Sequence, residues 1–131
     1  MATKKLEIKQ ITPVLLVDAI EPVLPLWEQQ LGFARVAEVA HEGRIGFVIL
    51  VRDGAQVMMQ THASLEVDLP SVASRAPTSV LYVDVTSLAS ATAAIAGAEI
   101  VVPERMTPYG AREIWIRDAA GQIVGFAEHH R

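Results

Sequence analysis

The sequence of 131 residues predicts an α+β fold in which one strand-helix-strand-strand-strand module is used twice. Three observations carry that prediction. Thr12-Pro13-Val14-Leu15-Leu16-Val17-Asp18 has a counterpart 66 positions later in Thr78-Ser79-Val80-Leu81-Tyr82-Val83-Asp84. Asp53 lies 41 positions past Thr12 and Asp118 lies 40 past Thr78, each in a turn that follows a branched, apolar run. Between these landmarks each copy holds a stretch with helical spacing. A repeat this short buries little apolar surface alone, so the copies must share a sheet or a core, and their seam is a natural cleft.

Ile8 to Asp18 is mostly branched and apolar and reads as a buried strand. A helix follows, with Ile20, Val23, Leu24, Trp27 and Leu31 at intervals of three and four and Gly32 placed to end it. Pro22 suits the first turn, whereas Pro25 would remove an interior hydrogen bond, so the helix is expected to start irregularly. Phe33–Ala40 and Arg44–Arg52 read as strands joined at His41-Glu42-Gly43, and Gln56–Thr61 closes the unit after the Asp53-Gly54 turn. The second copy repeats the order with Ser79–Asp84, a helix over Leu88–Ala96 ending at Gly97, then Glu99–Val102, Arg112–Arg117 and Gln122–Glu128. One domain of two modules, about 8–61 and 78–130, is thus expected. His62 to Pro77 carries Ser, Pro and acidic residues and reads as the linker; Pro103–Gly110, with Arg105, Met106 and Tyr109, reads as a loop able to cover a ligand.

The composition narrows the function. Hydrophobic residues make up 51% and charged residues 20%, which suits a folded globular chain. No apolar run approaches the roughly 18 residues of a membrane span, and Met1–Gln10 is charged rather than signal-like, so a soluble cytoplasmic protein is the expectation. The absence of cysteine excludes disulfides, zinc-thiolate sites and thiol nucleophiles. A net charge of −4 with scattered Lys and Arg argues against nucleic acid.

Strand alternation nominates the cleft lining: Thr12, Val14 and Leu16, then Val57 and Met59, then Thr78, Val80 and Tyr82, then Glu113, Trp115 and Arg117. Tyr82 and Trp115 offer faces for stacking on a planar or cationic ligand. An inward Glu113 needs a partner such as Arg112 or a cationic ligand. The repeated aspartates, Asp18 with Asp84 and Asp53 with Asp118, read as turn chemistry. His41 falls in a turn and His62 is out of phase with Met59. At the C-terminal end, Glu128 and His130 point away from the face that holds Gly125, Ala127 and His129, so the histidines do not converge.

The paired modules, Leu31-Gly32-Phe33 after the first helix, Tyr109-Gly110-Ala111-Arg112-Glu113 and the Asp118–Gly121 turn together resemble the vicinal oxygen chelate superfamily, which includes glyoxalase I, extradiol dioxygenases, and fosfomycin and bleomycin resistance proteins. The resemblance implies a U-shaped mixed sheet around a cleft, and a homodimer. It also implies metal ligands near the start of each first strand and on each last strand. Aligned on Val17 and Val83, those positions hold Thr12, Thr78, Met59 and Gly125, none a usual ligand, so no metal or other cofactor is expected. The implied function is metal-free binding of an aromatic or cationic small molecule, in the manner of bleomycin resistance proteins, through Thr12, Met59, Thr78, Tyr82, Tyr109, Glu113 and Trp115. The alternative is a lyase, isomerase or dioxygenase of the same superfamily, with Glu113 as a candidate base.

Overall fold

The computed structural model describes residues 10, 12–74, 79–107 and 110–129. The first copy places β1 (Val14–Val17), a helical segment, β2 (Ala34–His41), β3 (Arg44–Arg52) and β4 (Ala55–Thr61) in a four-stranded sheet of order β1-β4-β3-β2. Two helices, α1 (His62–Asp68) and α2 (Pro70–Ala73), lead to β5 (Leu81–Asp84), α3 (Leu88–Ala94), β6 (Glu99–Met106), β7 (Ala111–Arg117) and β8 (Ile123–His129). The second sheet has the order β5-β8-β7-β6. In each sheet the first and last strands of the module run parallel and the others antiparallel, so the duplication read from the sequence is a duplication of topology. The mixed sheet expected around a cleft is thus built as one sheet per module.

Pro13 has no N–H for the ladder, and the first strand starts one residue later, while the Pro13 carbonyl still accepts from Met58 N at 3.0 Å. The irregular helix foreseen from Pro22 and Pro25 is a short 3₁₀ turn over Glu21–Val23 followed by a wide π turn over Pro25–Gln30. Pro25 sits at the start of that second turn, where its missing N–H costs nothing. Leu31 N reaches back five residues to Leu26 O at 2.8 Å, and Gly32 at φ 76° lets Phe33 N close on Trp27 O at 2.9 Å. A Cβ at Gly32 would also strike the Arg52 guanidinium, which donates from Nη1 to Leu31 O at 2.7 Å.

One core serves both modules. Leu15, Val17, Val48, Leu50, Val57 and Met59 of the first sheet pack with Ile20, Val23 and Trp27, and the cluster continues through Leu88, Ala91 and Ile95 into Ile114, Ile116, Val124 and Phe126. Each Val, Leu, Ile, Phe or Met among them contributes on the order of 1.5–3 kcal/mol by leaving water. Gln30 Nε2 donates to Ala96 O at 3.0 Å and ties the first helical segment to the end of α3.

Two segments differ from the sequence reading. The expected linker folds into α1 and α2 up to Ala73, with the Thr61 hydroxyl accepting from Ser64 N at 3.1 Å as an N-cap. Ser64, Pro70 and Ser71 lie in the first turns of these helices rather than breaking them, and Ser74 follows the end of α2. Pro103 does not end the sixth strand either. β6 runs on to Met106 through register shifts between Ile100 and Arg105, which take up the missing donor. Among the described residues no helix is long and apolar enough to cross a membrane.

Candidate functional site

The second module brings three of the nominated residues together. Trp115 lies opposite Gly125 and Glu113 opposite Ala127 in the β7–β8 ladder, while Tyr82 pairs with Gly125 from β5, so all three meet on the sheet face away from the core. Glu113 is fully buried. Its Oε1 accepts from Arg105 Nη2 at 2.8 Å, Arg105 Nε at 3.1 Å and Trp115 Nε1 at 3.2 Å, and its Oε2 accepts from the Tyr82 hydroxyl at 2.6 Å. The partner of Glu113 is therefore Arg105, directly across the β6–β7 ladder, and not Arg112, which binds Glu104 at 2.6 Å. Adjacent residues on a strand face opposite ways, so Arg112 cannot serve Glu113. The carboxylate is neutralised and hydrogen-bonded within the protein, as a buried charge requires.

The indole of Trp115 lies on Gly125. A Cβ built at Gly125 would stand 2.6 Å from Cδ2 and Cε2 of that ring, so the strand accepts no side chain there unless the ring moves. Tyr82 packs beside it at 5.8 Å between ring centroids and an interplanar angle of 46°. His129 Nε2 lies 3.3 Å from the Tyr82 hydroxyl and 3.1 Å from Asp84 Oδ1. His129 extends the cluster to the strand end, on the face that the alternation assigned to it with Gly125 and Ala127.

In the first module the sequence phase of the last strand is one residue out. Met59 is fully buried in the core beside Leu15, its neighbour in the β1–β4 ladder, and Val57 shares that core. Gln60 pairs with Leu16 as Gly125 pairs with Tyr82, so Gln60, not Met59, is the counterpart of Gly125. The signal for this was present in the sequence. Leu16 and Tyr82 are 66 positions apart but Gln60 and Gly125 are 65 apart, and that residue is the one by which the Thr12–Asp53 spacing exceeds Thr78–Asp118. Thr12 Oγ1 accepts from Gln56 Nε2 at 3.2 Å. Thr78 and Tyr109 lie outside the described residues.

These positions do not fit a divalent metal. Thr12, Gln60 and Gly125 supply no carboxylate or imidazole, and among the described residues no three of His, Cys, Asp or Glu gather to hold one.

A cavity of about 600 Å³ lies at the seam between the modules. Val14, Leu16 and Gln60 line it from the first sheet, Leu65 and Leu69 from the helical roof segment, and Ser79 with the β7–β8 turn from Ala120 to Ile123 from the second module. His62 stands at its edge, with Nε2 3.8 Å from the exposed Asp18. The turn is rigid because Asp118 Oδ1 accepts from Ala120 N and Gln122 N, each at 2.9 Å, which is the turn chemistry read from the repeated aspartate. Ile123 shares the sheet face of Gly125, so the wall runs on toward Trp115. The roof residues Leu65 and Leu69 were missed in the sequence because they fall in the expected linker.

No protein-family model matches the chain, and no curated protein matches it. Solved structures do. A member of the glyoxalase/bleomycin resistance protein/dioxygenase superfamily from Sphaerobacter thermophilus superposes with a TM-score of 0.72 at 22% identity, over 95% of this chain and 100% of that one. A glyoxalase/bleomycin resistance protein/dioxygenase from Nocardioides gives a TM-score of 0.72 at 16% identity, over 95% and 86%. A bleomycin-binding protein from Streptomyces verticillus, solved with copper(II)-bleomycin, gives 0.66 at 19% identity, over 97% and 100%. At these identities the likeness is one of fold.

Proposed function

We propose that this chain, which has the fold of the glyoxalase/bleomycin resistance/dioxygenase proteins, is a metal-free small-molecule-binding protein that holds a compact, largely aromatic compound in the seam cavity. The observation that carries the reading is the cavity itself, about 600 Å³ walled by Val14, Leu16, Leu65, Leu69 and Ile123. Apolar walls with a few fixed polar groups are the usual make-up of a small-molecule site. Burying roughly 300 Å² of apolar ligand surface is worth about 7 kcal/mol, against an association cost of at least about 4. Walls alone therefore give weak binding, and polar anchors decide the affinity.

Glu113 is not such an anchor, because its lone pairs already face Arg105, Trp115 and Tyr82. Its work is to hold the Trp115 and Tyr82 rings in place as a platform beside the cavity. This favours an aromatic ligand over one recognised by charge at Glu113. A reaction with Glu113 as base would first require release of Arg105 or Tyr82, and metal-assisted chemistry lacks a donor set among the described residues. Homodimerisation belongs to the same proposal and is read by sedimentation.

The test is calorimetric titration with bicyclic aromatic probes against the parent and Leu16→Trp, whose larger side chain protrudes into the cavity. Saturable binding by the parent that the variant loses, with its circular dichroism unchanged, is the expected result. Equal binding by both proteins, or none by the parent, defeats the reading.

A further inference from the structure

Two glutamine amides line the cavity, and each is fixed in one orientation. Gln122 Nε2 donates to the backbone carbonyls of Ser79 and Ile123, both at 3.0 Å. Carbonyl oxygens only accept, so the opposite amide orientation would set oxygen against oxygen. Gln60 Nε2 donates to Ser64 Oγ at 3.2 Å and to Asp68 Oδ2 at 3.4 Å, and the carboxylate fixes that amide by the same argument. Both N–H groups of each amide are thus engaged within the protein. Among the described residues, neither Oε1 receives a hydrogen bond. Gln60 is 7% exposed, and its carbonyl oxygen is open to solvent or a guest, since it is not among the buried polar atoms that lack a partner.

The two amides thus offer a guest acceptors alone, while His62 and Ser79, which also line the cavity, can accept as well as donate. Charge points the same way, since Asp18 and Asp68 stand near the rim and the chain carries a net charge of −4. Resting on the cavity reading above, we infer that the ligand is an aromatic ring bearing N–H donors on its edge, an arylamine or amino-substituted heteroaromatic, and that flat compounds whose polar edge only accepts bind less tightly. A site built to meet N–H groups discriminates strongly against an analogue lacking them, because its own acceptor stays unpaired.

Indene, benzofuran and indole share one shape and carry respectively no polar edge, an acceptor and an N–H donor; 2-aminobenzimidazole adds further N–H groups. Titrated into the full chain, indole is expected to bind about three- to tenfold more tightly than indene or benzofuran, and 2-aminobenzimidazole more tightly again. Gln60→Met and Gln122→Met are each expected to reduce the ratio of indole to indene affinity. The comparison on the parent protein stands even where a variant folds poorly. Equal affinities for the three isosteres, or preference for benzofuran, with binding still blocked by Leu16→Trp, would overturn the donor inference and leave the cavity reading intact. Absence of saturable binding by every probe overturns both.

Discussion

Replacing Glu113 by Ala removes a fully buried carboxylate that accepts hydrogen bonds from Arg105, Trp115 and Tyr82. Breaking one side of a buried ion pair costs about 3–5 kcal/mol when the orphaned partner stays dry. Here the Arg105 side chain is 52% exposed and Tyr82 43% exposed, so both regain water and only Trp115 Nε1 loses its partner outright. The expected loss is accordingly about 2–3 kcal/mol, or a fall in Tm on the order of 10 °C for a domain this size. Glu113→Gln keeps the shape and one acceptor oxygen and should lose about half as much. Urea unfolding at pH 7, with m unchanged, reads both numbers. A Glu113→Ala protein within about 0.5 kcal/mol of the parent would refute the view that this carboxylate holds the aromatic platform together.

Three further outcomes follow from the geometry. Gly125→Ala forces the Trp115 ring to move and should cost about 1–3 kcal/mol, a cost that a double-mutant cycle with Trp115→Leu should largely cancel. Thr61→Ala removes the N-cap of α1 and should lower stability by about 1 kcal/mol, with faster hydrogen exchange confined to the roof helices. Arg35 donates from Nε and Nη2 to the two carboxylate oxygens of Glu28, each at 2.9 Å, and holds that carboxyl below its ordinary value. A group lowered in the folded state stabilises above its unfolded pKa and loses that contribution as pH falls through the folded one. Glu28→Gln should therefore be less stable than the parent by about 0.5–1 kcal/mol at neutral pH and equal to it in strong acid, as read by parallel urea curves.

The fold was legible because Val17 and Val83, and the turns after β3 and β7, repeat in order, and because a shared core needs both copies. In the second module the alternation gave the cluster of Tyr82, Glu113 and Trp115, since β5 and β7 pair with β8 without a shift, but none of the three lines the seam cavity. Met59 went astray because a single offset of 66 was carried through a chain whose last strands are offset by 65. Leu65 and Leu69 escaped because Ser, Pro and acidic residues start helices as readily as they end them. The pairing of Glu113 with Arg105 required the β6–β7 register, and Pro103 had hidden the strand that sets it.

The packing of the indole on the bare Cα at position 125 fixes an order of events in any change of chemistry. A carboxylate introduced there meets the ring and is expelled; taking the tryptophan away first opens the space but leaves Glu113 short of a donor. Either order of substitution therefore passes through a less stable intermediate, and introducing a carboxylate at position 125 should begin by stabilising the scaffold elsewhere.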